Sequence, residues 1–247
     1  MSDHRDQSPT PGPAEAPARG RGGVLAAVRE TVLVVAVALV VSLVVKTFLL
    51  QAFYIPSQSM ETTLDIGDRV VVSKLTPGPF ELHRGDVVVF LDPGGWLPPA
   101  AEPDRGPVGS VVADVLTFVG LLPEDSGEHL IKRVIGLPGD RVECCDAQGR
   151  ISVNGTPVEE SAYVIEGAVP SQVPFSVTVP AGELWVMGDN RPESADSRYN
   201  QDKPHGGFVP LENVVGRAYV VVWPLSHLAW LGTPSTFDDV PGEAGVE

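Results

Sequence analysis

The feature that most constrains this chain is a run of twenty residues, Thr31–Leu50, that carries a single charge, Lys46. Wound as a helix it is about 30 Å long, the thickness of a bilayer's hydrocarbon core. It is apolar on every face, unlike a helix half-sunk in a soluble domain. Lys46 lies near one end, where its long stem reaches the headgroups. No small-x-small cleavage signal follows the run, so it reads as an uncleaved signal-anchor rather than a removable leader. Arg5, Arg19, Arg21 and Arg29 precede the span, and only Lys46 and Arg69 lie close after it. That bias places the N-terminus in the cytoplasm and residues 51–247 outside.

Charge divides the chain at the same place. The net charge is −15, made of +1 over residues 1–50 and −16 over residues 51–247. A strongly acidic outer part argues against nucleic acid as a partner. Residues 1–22, rich in Pro, Gly, Ala and charge, read as a disordered cytoplasmic tail, and residues 23–50 as the anchor helix. Residues 51–231 form the extracytoplasmic domain. Residues 232–247 hold four acids and no base and read as a solvated acidic tail. The two cysteines, Cys144 and Cys145, are adjacent. They offer no metal-ligand spacing, and a bond between neighbours closes a small ring, so two buried or free thiols are expected.

Beyond residue 50 the pattern becomes short β-branched runs separated by Gly, Pro and Asp. Strands are expected at Arg69–Ser73, Asp86–Phe90, His129–Ile135, Ile151–Val153, Ser176–Val179, Glu183–Met187 and Arg217–Trp223. Asn154-Gly155 marks a two-residue hairpin between Ile151–Val153 and Thr156–Val158. Many short strands and few helical patterns imply an antiparallel, partly closed β domain. Residues 92–128 interrupt it as an insertion. Its Pro/Gly-rich start leads to Val111, Val112, Val115, Leu116, Val119 and Leu122 on one helical face, which either packs on the sheet or touches the membrane surface.

Three clusters offer chemistry. Ser57 and Ser59 follow the membrane span in Tyr54-Ile-Pro-Ser-Gln-Ser-Met60; a serine there is a turn residue or, given a base, a nucleophile. The bases available are His129, Lys132 and His205, and no G-x-S-x-G elbow or S-x-x-K motif selects among them. Lys132 and Arg133 are consecutive in a strand and must point to opposite faces, so one faces solvent and the other is pressed into the domain. A buried lysine loses part of its preference for the charged form and becomes a proton acceptor; a lysine with its head in water does not. The third cluster, Met187-Gly-Asp-Asn-Arg-Pro-Glu-Ser-Ala-Asp-Ser-Arg-Tyr199, follows a strand and is dense in hydrogen-bonding groups.

Taken together these stretches resemble bacterial type I signal peptidase (leader peptidase), a membrane-bound serine endopeptidase that removes signal peptides from exported preproteins. The matching segments are Ile55-Pro-Ser-Gln-Ser-Met-Glu-Thr-Thr-Leu-Asp-Ile-Gly-Asp68, Arg84-Gly-Asp-Val-Val-Val-Phe90, Lys132-Arg-Val-Ile-Gly-Leu-Pro-Gly-Asp140, and Gly188-Asp-Asn-Arg191 with Ser194-Ala-Asp-Ser-Arg198. They occur in the family's order across most of residues 51–223. Residues 92–128 have no counterpart in the shortest family members.

The resemblance implies an all-β core of two antiparallel sheets, with Ser59 as nucleophile and Lys132 as general base. It implies an oxyanion hole made by the Ser57 hydroxyl and the backbone N–H of Ser59. Ser194 would hold the Lys132 amine, and Asp196 and Arg198 would form a supporting ion pair. Phe53, Ile55 and Val134 are expected as walls of shallow pockets for small substrate residues. No metal or organic cofactor is expected; the partners are exported preproteins and the lipid bilayer. Nine chain steps from Leu50 to Ser59 reach about 30 Å at most, which keeps the serine near the outer bilayer surface. A self-cleaving Ser-Lys peptidase of the repressor type lacks such a span and outward β domain. A catalytically silent tethered β module remains the non-enzyme alternative.

Overall fold

The computed structural model describes residues 21–98 and 128–242, with side chains from residue 26. The chain divides into two compact units, residues 1–41 and 42–247. Helix α1 runs over Arg21–Phe48 with no proline to break it. Its Ala26–Phe48 stretch is long and apolar enough to cross a membrane, and its window of highest hydropathy has no buried residue. At 1.5 Å per residue the stretch measures about 35 Å. The helix stops two residues before the expected end of the span. Leu49 makes the last helical bond, to the Val45 carbonyl, and Leu50 already pairs with Ser73 in a sheet. Sheet pairing, which an apolar run does not reveal, decides where the helix stops.

Twelve strands follow among the described residues: β1 Leu50–Tyr54, β2 Arg69–Ser73, β3 Val87–Leu91, β4 His129–Gly136, β5 Arg141–Cys144, β6 Ile151–Val153, β7 Thr156–Pro157, β8 Phe175–Thr178, β9 Glu183–Met187, β10 Val209–Pro210, β11 Val214–Trp223 and β12 Ala229–Trp230. The larger sheet has the order β1-β2-β11-β3-β4-β9-β10, with β12 added to β11; the smaller runs β7-β6-β5-β8. Every pairing is antiparallel. Mainly β, with one apolar N-terminal helix and two antiparallel sheets, the architecture matches the expected class. Asn154 and Gly155 both adopt positive φ, 52° and 77°, as a two-residue hairpin of this twist requires.

Three apolar clusters hold the β domain together. One joins the two sheets: Ile135, Trp185 and Met187 of the larger sheet meet Val142, Ile151, Val153 and Phe175 of the smaller. A second gathers Phe53, Ile55, Met60, Leu64, Val70, Val72 and Ile131. A third contains Val88, Phe90, Val134, Leu184, Val186 and Val209, and Trp96 meets Phe90 edge-on at 5.8 Å. The insertion therefore begins by packing on the sheet. Its apolar helical face, residues 111–122, lies outside the described residues.

Two expectations change. Residues 232–242 are not a free tail: Phe237 and Val240 are buried in the cluster between the sheets, and Phe237 stacks on Tyr163 at 6.2 Å. The acidic residues beside them hid two apolar side chains at the spacing of one turn. Cys144 and Cys145 are joined as a disulfide rather than present as two thiols. Strand β5 ends at Cys144 and the chain turns into the Asp146–Arg150 loop, which leaves both sulfurs side by side.

Gly136 ends β4 where the sheets meet. A Cβ there would lie 2.6 Å from Val142 Cγ2 and 2.9 Å from Val179 Cγ2. Gly136→Ala is expected to lower stability by about 1–3 kcal/mol through overpacking, read as a fall in the thermal unfolding midpoint of the full chain. An unchanged midpoint would show that this junction yields without cost.

Candidate active site

Strand β4 is central in the larger sheet, and Lys132 stands in its middle opposite Val88 of β3. Its side chain is 4 % exposed, and Nζ donates to Ser59 Oγ at 2.7 Å and to the Ile131 carbonyl at 2.9 Å. With the amine neutral, the first contact can run from the hydroxyl to the nitrogen. Ser59 itself is 6 % exposed. It follows β1 through Ile55-Pro56, and its carbonyl accepts from Asn190 N–H at 3.2 Å. Ser57 Oγ lies 3.4 Å from Ser59 Oγ.

Burial is the dominant influence on this lysine. It lowers the Lys132 pKa from 10.5 to about 8, against the opposing pull of the Asp196 and Asp189 carboxylates; Arg198 lowers it further. An amine in this setting is poised to exchange protons near neutral pH.

Polar groups around the pair are held by three ion pairs. Arg133 grips Asp189 with two bonds, 2.8 and 2.6 Å, and both side chains are buried. Asp196 and Arg198 pair through two bonds of 2.8 Å, with no exposed side-chain surface on either. Asp196 also accepts from Gly188 N–H, while Gly188 O accepts from Arg191 Nε. Arg191 in turn forms a two-bonded pair with Glu160. Gly188 is thus clamped at both its amide and its carbonyl. A Cβ at Gly188 would collide with Ser194 Oγ and the Ser59 carbonyl, so only glycine fits there. Tyr163 donates to Glu160 at 2.8 Å, and burial, with the Glu160 charge, holds its phenol well above the ordinary value.

The structure brings Ser59, Lys132, Ser57, Asp196 and Arg198 into one neighbourhood. It departs from the sequence reading at three points. Lys132 and Arg133 are both buried, because Asp189 and Thr63 meet the guanidinium on the face expected to be solvated. Ser194 is 3 % exposed, but its Oγ has no hydrogen-bond partner, and the expected bond to the lysine amine is not made. Nζ is engaged by Ser59 and Ile131 instead. Phe53 and Ile55 share a cluster with Met60, beside the serine, whereas Val134 is sealed in the separate cluster with Val88 and Phe90. The β4 residue that joins Phe53 and Ile55 is Ile131. Of the alternative bases, His205 pairs with Glu183 at 3.0 Å and the His129 ring meets Phe53 at a tilt, 5.2 Å between centroids. Glu160 and Tyr163 were missed, and nothing in their local sequence marks them as partners of a site some hundred residues away in Ser59.

Comparison with known proteins bears on the same segments. The family model "Signal peptidase, peptidase S26" matches residues 28–223. A solved signal peptidase I from Enterococcus faecalis V583 overlays with a TM-score of 0.35 at 27% identity, over 56% of this chain and 97% of that one. A probable signal peptidase I of Mycobacterium leprae (strain TN) is 38% identical over 217 residues, 77% of this chain and 74% of that protein. A signal peptidase I of Leptolyngbya laminosa is 34% identical over 238 residues, 96% of this chain and all of that protein (100%). By the extent of the family match and the identity of these relatives, the chain belongs to the signal peptidase family, peptidase S26, and with it among the serine endopeptidases.

Proposed function

We propose that this chain is a membrane-held endopeptidase that removes N-terminal signal peptides from exported preproteins, with Ser59 as nucleophile and Lys132 as general base. The observation that carries the reading is the 2.7 Å contact between Lys132 Nζ and Ser59 Oγ inside the β domain. Neutral Lys132 takes the hydroxyl proton as Oγ attacks the scissile carbonyl. The Ser57 hydroxyl and the Ser59 N–H stabilise the oxyanion, where one donor is worth about 3–4 kcal/mol. Collapse of the intermediate returns the proton from Lys132 to the leaving amine and leaves an acyl ester on Ser59. Lys132 then takes a proton from water as its oxygen attacks the ester carbonyl, and returns that proton to Ser59 Oγ as the C–Oγ bond breaks and the acyl group leaves as a carboxylic acid. The unpaired Ser194 hydroxyl gives the lysine a further acceptor once it is an ammonium with three donors. No step needs a metal or an organic cofactor.

The bilayer is the second partner in this reading. Helix α1 supplies the anchor, with the N-terminus cytoplasmic and the β domain outside. Tyr54, Arg69 and Trp223 lie in one row across β1, β2 and β11, and the chain passes from Tyr54 straight into the Ser59 loop. Beyond Trp223 the side chains of Leu225, Leu228 and Trp230 are 72 %, 62 % and 82 % exposed, a composition suited to the headgroup layer. Protease added to intact protoplasts should therefore digest residues 51–247. Protection of the domain would reverse the topology and remove the proposed access to preproteins.

Phe53 and Ile55, buried in one cluster with Met60 next to Ser59, are read here as the floor of shallow pockets for small substrate side chains. In a peptide series with Ala, Ser, Leu or Phe one and three positions before the cut, the Ala and Ser members should be cleaved. Equal turnover of the Leu and Phe members would contradict the pocket assignment.

The acid limb of kcat/KM should rise with pH about a midpoint near 8, the value burial imposes on Lys132. The same burial sets a stability effect. The folded lysine titrates near 8 and the unfolded one near 10.5, so the folded state binds fewer protons between these values. Stability rises with pH across that window, and the full cost, about 3 kcal/mol, applies below it. Lys132→Met removes the cost and the base together. It should abolish turnover, as Ser59→Ala should, while raising the unfolding midpoint at pH 7. A dead His129→Ala variant beside an active Lys132→Met would make histidine the base.

A further inference from the structure

The turn that follows Ser59 contains one backbone anomaly among the described residues. Thr62 has φ of 86°, in the region L side chains avoid, and a β-branched residue is the least suited to it. Such a conformation costs about 1–3 kcal/mol and persists only where surrounding bonds over-determine it. Those bonds are present. Glu61 and Gln58 are tied to the Asn190 side-chain amide, at 3.0 and 3.1 Å. Thr63 Oγ1 donates to Asp189 at 2.5 Å and accepts from Arg133 at 3.2 Å. Thr62 Oγ1 donates to the Tyr163 carbonyl at 2.6 Å, reaching the connection between β7 and β8.

Tyr163 is not a loose anchor. Its ring lies under the Arg133 guanidinium, 4.4 Å from centroid to Cζ, and its hydroxyl is held by Glu160. Arg133 is the residue after Lys132. The path from Ser59 through Thr62, Tyr163 and Arg133 back to Lys132 is therefore a closed bracket, with one member of the catalytic pair at each end. A nucleophile and base that must meet at hydrogen-bond distance are sensitive to small displacements of either, and a 1 Å error costs on the order of a hundredfold in rate.

We propose that Thr62 is a positioning residue: its hydroxyl, tied to the Tyr163 carbonyl, holds the strained turn that sets Ser59 against Lys132. The proposal rests on the Ser59–Lys132 reading above. It assigns Thr62 no contact with substrate, so its loss should act on kcat rather than KM.

Three variants of the full chain in detergent separate this from a merely structural role. Thr62→Val keeps the shape and removes the hydroxyl. Thr62→Ser keeps the hydroxyl. Thr62→Gly removes the hydroxyl but also relieves the positive φ, and should unfold no more easily than wild type. Thr62→Val and Thr62→Gly should each lose about tenfold or more in kcat on a synthetic signal-peptide substrate, with KM within about twofold. Thr62→Ser should recover kcat to within about threefold of wild type. Wild-type kcat in both hydroxyl-less variants would overturn the proposal, as would losses that simply follow the unfolding midpoint across the series. A Ser59→Ala control turning over the same substrate would instead overturn the catalytic reading beneath it.

Discussion

A lysine ammonium strongly prefers water, and keeping the Lys132 nitrogen out of it is the constraint around which this domain is arranged. The amine emerges from the centre of an antiparallel sheet, where the backbone already satisfies its own hydrogen bonds. The side chain can then cross an apolar layer to a single hydroxyl. Burial shifts the proton affinity, and the geometry offers the altered nitrogen one productive neighbour, Ser59. Both effects depend on the same wall of apolar residues, so packing and chemistry cannot be separated here.

Beside the lysine, the buried arginines of this region are each matched to a carboxylate. Arg133 with Asp189, Arg198 with Asp196 and Arg191 with Glu160 are each two-bonded and buried. Such pairs add little net stability over an apolar replacement, but removing one partner leaves an uncompensated charge and costs about 3–5 kcal/mol. Their contribution is directional. They hold the Gly188 amide and carbonyl, two residues from the Asn190 N–H that bonds the Ser59 carbonyl, and desolvation remains the largest influence on the lysine.

Local patterns in the sequence were sufficient for some elements and silent for others. β2, β6 and β9 fall where β-branched runs between turn residues placed them, because each is a self-evident strand. β1 was hidden, since Leu50–Tyr54 continues an apolar run and only its ladder with β2 distinguishes it from the helix. β10 and β12 have two residues each and exist by virtue of their partners. Ser59, Lys132, Ser57, Asp196 and Arg198 were singled out by the segments that resemble the family, and the structure places Ser59 against both Lys132 and Ser57 and pairs Asp196 with Arg198. Val134 was misread for a simple reason of reach. Strand alternation places it two positions from Lys132, but a valine ends at Cγ while the lysine stem runs two carbons further before its nitrogen. Tyr163 and Glu160 could not be read at all, because only the closing of the smaller sheet brings them to Arg133 and Arg191.

The burial of Phe237 and Val240 in the cluster between the sheets has a temporal side. A chain is made from its N-terminus, so Ser59 and Lys132 exist long before the residues that complete the core behind them. Until Phe237 arrives, Tyr163 lacks the ring that stacks on it, and the Arg84 guanidinium lacks its bond to the Val240 carbonyl. A chain assembled in this order carries the Ser59 and Lys132 side chains early but finishes the scaffold around them last, so synthesis itself delays the moment at which the proposed pair is fully supported.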